Sequence, residues 1–186
     1  MSFRLKATSF VRDAGHLEKL LCELKQRRCP HCGRSGTLNR HDEIDGKALD
    51  GSGERVPRGR RVWCCRRGHS GGCGRTSALL FDWVLPGRSV TAPMVWGVLE
   101  GLARGQSVVQ AHVQAARALS LEAIRAMLRR LRHGQALIRT RLPGAPPPGE
   151  LADPLFQTVA HLRCAFPSAD CPVEAFQGAF QMPFPA

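Results

Sequence analysis

Apolar positions recur at helical spacing in several stretches of this chain and give way to short, half-alternating runs between them. Over residues 12–27, Leu17, Leu20, Leu21 and Leu24 fall on one helical face, and Asp13 stands where an N-cap is needed. The helical period returns from residue 91 to 141. Thr91 caps a helix whose stripe is Val95, Val98, Leu99 and Leu102; Pro93 is tolerated in its first turn and Gly105 ends it. Ser107 caps a second helix with Val109, Val113 and Ala116 expected inward. Ser120 caps a third, with Ile124, Leu128 and Leu131 inward. Residues 154–165 predict a further helix and residues 173–180 a shorter one. Residues 36–41 and 58–63 read instead as two strands of a β-ribbon, joined by an acidic, Gly-rich loop over 42–54. A short apolar run, 78–84, is stopped by Pro86-Gly87. Residues 143–150, PGAPPPGE, suit neither helix nor strand and read as a semi-rigid linker.

Composition changes this picture through charge. The chain has 186 residues, is 43% hydrophobic and 6% aromatic with no Tyr, and carries a net charge of +12. Such an excess predicts attraction to a polyanion, nucleic acid before an anionic membrane. Positive residues crowd into 25–75 and 121–141, whereas the tail after Glu150 is close to neutral. The first twenty residues lack the continuous apolar core of a secretory signal, and no apolar run is long enough to span a bilayer. Eight cysteines in such a chain point to metal binding in a reducing, cytoplasmic setting rather than to disulfides.

The cysteines supply the candidate chemistry. Cys29-Pro30-His31-Cys32-Gly33 is a knuckle whose backbone N–H groups can point at the sulfurs and favour thiolate. Some thirty residues later come Cys64, Cys65 and Cys73-Gly74-Arg75-Thr76. One short turn presenting two ligands and a second closing the tetrahedron is what a structural zinc site needs. Neighbours on a strand point to opposite faces, so only one of Cys64 and Cys65 should reach the metal; strand alternation favours Cys64. His31 sits inside the knuckle and reads as a surface residue, and His69 in the basic insertion 66–72 is a spare ligand. One structural zinc ion held by Cys29, Cys32, Cys64 and Cys73 is expected, with Cys65 the rival for the position given to Cys64 and no catalytic residue beside the metal. Cys22, Cys164 and Cys171 have no partner at ligand spacing and are expected to serve packing.

The predicted fold is therefore α+β: an N-terminal helix (1–26), a small zinc ribbon (27–84), a three-helix, helix-turn-helix-like bundle (90–141), the Pro-rich linker (142–150) and a short helical tail (151–186). The third helix of the bundle carries Arg125, Arg129 and Arg132 at i, i+4 and i+7 opposite its apolar face, with Arg130 beside them. Guanidinium groups in a row can follow a phosphate backbone or pair with guanine edges. Arg58, Arg60, Arg61, Arg66, Arg67 and Arg75 are the corresponding candidates on the ribbon.

The run CPHCG, then RRVWC and CGRT, followed by an apolar stretch and a helix-turn-helix pattern, resembles the N-terminal zinc-ribbon head of bacterial insertion-sequence transposases over about residues 27–141. The resemblance implies that Cys29, Cys32, Cys64 and Cys73 hold zinc and that Arg75 and the basic strand face DNA. The second cysteine pair is spread over an enlarged loop, and Ser77 stands where the family has Phe. Such transposases use three carboxylates on an RNase-H-like domain. Here the acidic residues after the helices are Glu150, Asp153, Asp170 and Glu174, with no strand pattern to hold them. The expectation is a stand-alone, non-catalytic module that binds double-stranded DNA. The alternatives are an accessory or remnant transposase subunit, or a module that docks a protein partner through the ribbon and the Phe-rich tail (Phe156, Phe166, Phe176, Phe180 and Phe184).

Overall fold

A computed structural model describes residues 5–47, 55–66, 71–142, 144 and 153–186. The protein is α+β, and the described residues hold a four-stranded mixed sheet and six α-helices. They divide into two compact units, one ending at Asp82 and the other spanning Trp83–Ala186. The five-segment division expected from sequence thus reduces to two, because each terminal segment shares a core with its neighbour.

In the first unit, β1 (Thr8–Val11), β2 (Leu38–Lys47), β3 (Arg55–Cys64) and β4 (Thr76–Phe81) form one sheet in the order β1-β4-β3-β2. β1 pairs parallel to β4, and the other pairings are antiparallel. Helix α1 (Ala14–Cys22) starts where Asp13 accepts from the His16 amide at 2.7 Å, as its capping position predicts. Its Leu17, Leu20 and Leu21 join Leu24, Val11, Leu38, Val62 and Leu79 in one buried cluster. The N-terminal helix is therefore part of the first unit's fold rather than a separate segment. Cys22, expected inside, is exposed on its outer face.

β2 runs on to Lys47, through residues expected to form a loop. The acidic character that argued for a loop is what pairs this strand with the basic β3: Glu43 lies opposite Arg60 in register and forms an ion pair with it. Two register irregularities, between Arg40 and Glu43 and between Ile44 and Asp45, take up the poor alternation. The rest of the expected loop, like the linker from Ala145 to Glu150, lies outside the described residues.

The second unit is helical. It comprises α2 (Ala92–Ala103), α3 (Val108–Ala115), α4 (Leu121–Arg141), α5 (Pro154–Ala165) and α6 (Pro172–Phe180). Val95, Val98, Leu99 and Leu102 of α2 are buried as expected, with Ile124, Leu128 and Leu131 of α4. Ser107 and Gln110 close a capping box at the start of α3. The inward face of α3 is the exception. Val109 and Val113 are 50% and 52% exposed, while Ala111 is fully buried. The reason is close approach: α3 meets α2 through Ala111 and Ala115, which lie against Gly101 and Gly97. A Cβ on Gly97 would stand 2.7 Å from the Ala115 Cβ. Gly97→Val should therefore cost about 1–3 kcal/mol despite valine's better helix propensity than glycine's. Thermal unfolding of the variant checks this through a lowered midpoint.

The tail belongs to the same core. Phe176 and Phe184 are buried in it, and Phe156, Phe166 and Phe180 pack against it. The fully buried Gln177 satisfies both ends of its amide, donating to the Val84 carbonyl at 3.0 Å and accepting from the Phe184 amide at 2.9 Å. Of the five phenylalanines offered as a docking surface, Phe176 and Phe184 are buried, and Phe156, Phe166 and Phe180 are half-buried against the same core.

Candidate metal centre

Two turns converge at one edge of the first unit and repeat the same hydrogen bonds. In the first, the Cys29 amide donates to the Arg34 carbonyl (2.8 Å) and the Gly33 amide to the Cys29 carbonyl (2.9 Å). In the second, the Cys64 amide donates to the Arg75 carbonyl (2.9 Å) and the Gly74 amide to the Cys64 carbonyl (2.9 Å). Gly33 and Gly74 hold matching left-handed conformations, with φ of 75° and 74°, which a side chain would strain. Cys29 thus corresponds to Cys64, and Cys32 to Cys73.

The extra residues in the second knuckle do not open it. The Gly72 amide donates to the Cys65 carbonyl at 2.9 Å, so the insertion is pinched off at its neck and Cys73 is delivered as a short turn would deliver it. Gly72 is needed there, since a Cβ would meet the Cys65 oxygen at 2.0 Å and the Cys64 sulfur at 2.8 Å. Arg34 donates to the Gly71 carbonyl across the two knuckles.

The sulfurs of Cys29, Cys32, Cys64 and Cys73 all lie within 4.8 Å of one another. Cys29 Sγ is 3.8 Å from Cys73 Sγ, and Cys32 Sγ is 3.8 Å from Cys64 Sγ. Four thiolates about 2.3 Å from a zinc ion stand about 3.8 Å apart along the edges of the tetrahedron, so the cluster is compatible with a single zinc ion. Cys65 stays outside the cluster, its amide turned to the Thr37 carbonyl at 2.7 Å. His31 also stays out. Its Nε2 lies 3.1 Å from the Thr76 carbonyl and 3.3 Å from the hydroxyl of Ser77. His69 lies outside the described residues.

The environment of the sulfurs is uneven. Burial pushes the Cys29 thiol up to about 12, against the His31 and Cys32 amides that favour its thiolate. Burial works in the same direction on Cys64, but the Thr37 hydroxyl at 3.2 Å, the Cys73 amide at 3.3 Å and the neighbouring thiols outweigh it and bring Cys64 down to about 6. Four thiols this close cannot all lose their protons unless a cation stands among them. Thr37 is a contributor that no sequence spacing announces; only the register of β2 brings it to Cys64.

The candidate arginines are sorted by their surroundings. On β3, Arg58 is half-buried with its stem against Gly46, and burial lowers its pKa; Arg60 is paired with Glu43. Arg61 and Arg75 are exposed, and the exposed Arg66 donates to the Cys73 carbonyl at 3.3 Å. Arg67 lies outside the described residues. On α4, Arg125 and Arg129 are exposed, and Arg132 pairs with Asp153 at 3.3 Å. Arg130 departs from the expected exposed row. It is half-buried, and burial, then the nearby charges of Arg88 and Arg129, hold its pKa below the ordinary value.

No family model, curated protein or solved structure matches this chain. Its functional assignment rests on its own residues. No helix among the described residues is long and apolar enough to cross a membrane.

Proposed function

We propose that the protein is a DNA-binding module stabilised by one structural zinc ion, related to the DNA-binding heads of transposases and without catalytic activity of its own. Cys29, Cys32, Cys64 and Cys73 hold the ion as thiolates, and a bound zinc ion supplies the cross-link between the two knuckles. Every position of a tetrahedral ion is then filled by sulfur, which leaves none for water or substrate. The ion holds β3 and the two knuckle turns rigid, and with them Arg61, Arg66 and Arg75.

The observation that carries the DNA assignment is on α4. Arg125 and Arg129, one turn apart, are exposed and have no ion-pair partner among the described residues. With α3 and the turn before Ser120, α4 takes the part of a recognition helix, its guanidiniums lying along phosphates or guanine edges. Arg58, Arg60, Arg130 and Arg132 play supporting parts at most, since burial or a carboxylate already engages each. The burial of Phe176 and Phe184, and the packing of the other three against the same core, weigh against a protein-docking role for that segment.

Salt tests the assignment. Arg125 and Arg129 releasing counterions from duplex DNA predict a log–log slope of about −2 or steeper in affinity against salt concentration. Fluorescence anisotropy with a labelled duplex should show this fall, and an affinity that does not change with salt would remove the proposal.

A further inference from the structure

A cleft of about 280 Å³ opens in the helical unit between the loop at residues 87–90 and the N-terminal half of α4. Its floor is apolar, built from Val90, Leu119, Ile124 and Met127, and Arg88 and Arg130 stand in its lining. No carboxylate lines it among the described residues. Nε of Arg130 is shut off from solvent and has no hydrogen-bond partner among the described residues. A half-buried guanidinium beside two other cations, with a donor unused, is a costly arrangement in an unliganded protein. An anion in the cleft would offset the positive charge gathered there, which the packing leaves uncompensated.

We propose that this cleft binds a small molecule with an apolar body and a single carboxylate or phosphate group, the anion meeting Arg130 and Arg88 while the body covers Ile124 and Met127. The volume lies just below the range of about 300–1,000 Å³ usual for small-molecule sites, which sets the ligand's size at little more than one ring and its charged group. Backbone phosphates of nucleic acid fit the place less well, because they would leave the apolar floor empty. The site does not depend on the DNA assignment, which rests on Arg125 and Arg129.

Two-dimensional NMR titrations of the zinc-loaded full chain with benzoate, phenyl phosphate, benzamide and inorganic phosphate test it. Benzoate and phenyl phosphate should shift the signals of Met127 and Ile124 saturably, and benzamide and inorganic phosphate should bind at least tenfold more weakly. Arg130→Gln, which removes the half-buried charge, should weaken both anions at least tenfold. Arg88→Ala, at an exposed position, should weaken them in the same order and serves if the first variant misfolds. Equal binding of benzamide would show that charge plays no part, and equal binding of inorganic phosphate that the floor plays none. Either result, or unchanged affinity in both variants, overturns the site.

Discussion

Replacing Cys64 by Ser should unfold the first unit. The metal's contribution to folding in small zinc domains is about 10–16 kcal/mol at neutral pH, as large as the whole stability of an ordinary domain at about 5–15 kcal/mol. The apolar cluster beneath the sheet is small, and Cys29 and Cys64 are themselves members of it, so little is left to hold β2 and β3 once the knuckles part. The expected result is loss of the dispersed amide signals of Leu38, Val62 and Leu79, reproduced in the wild-type chain by a strong chelator. Helices α2 to α6 have their own core and should keep their signals and their unfolding transition. Cys65→Ser is the control: its thiol is outside the cluster, and stability should change by about 0.5 kcal/mol or less. A Cys65 variant that unfolds like the Cys64 variant would mean that the ligand is misassigned.

The second large effect is on binding. Arg125→Ala together with Arg129→Ala should weaken the duplex complex between about tenfold and a hundredfold near 0.1 M salt and flatten the salt slope by about 2, as the loss of two phosphate contacts requires. Both side chains are exposed and take part in no ion pair among the described residues, so circular dichroism and the unfolding midpoint should not move. Arg132→Ala should do less, because Asp153 already holds that guanidinium at 3.3 Å. If the double variant bound duplex DNA as tightly as the wild type, α4 would have no claim to be the recognition helix.

Much of this was legible in the sequence, and the gaps have physical causes. The helical stripes of α1, α2 and α4 and the caps Asp13, Ser107 and Ser120 are local signals and could be placed from spacing alone. Strand alternation was enough to favour Cys64 over Cys65, and the structure brings Cys64 to the cluster. β1 was missed because four residues carry too little pattern; its parallel partner β4 lies some seventy positions further along the chain. The extension of β2 was missed because an acidic, Gly-rich run looks like a loop until its charges meet β3. The valines of α3 misled for a related reason. Apolar period alone favours Val109 and Val113 as core, yet two glycines on α2 admit only alanines at that distance. Arg130 shows the limit of charge patterning: four arginines in one helical stretch look alike in sequence, and only packing separates an exposed pair from one held in a cleft and one tied to an aspartate.

The neck between Cys65 and Gly72 explains how a knuckle survives a six-residue insertion, and it makes the metal the natural place for a decisive test. Native mass spectrometry of the intact chain, expressed with zinc and measured beside the Cys73→Ser and Cys65→Ser variants, provides it most directly. One zinc per chain is expected in the wild type and in Cys65→Ser, and loss of that ion from Cys73→Ser. A wild-type chain that takes up no zinc, or a Cys73→Ser chain that keeps it, would contradict the four-thiolate centre on which the rest is built.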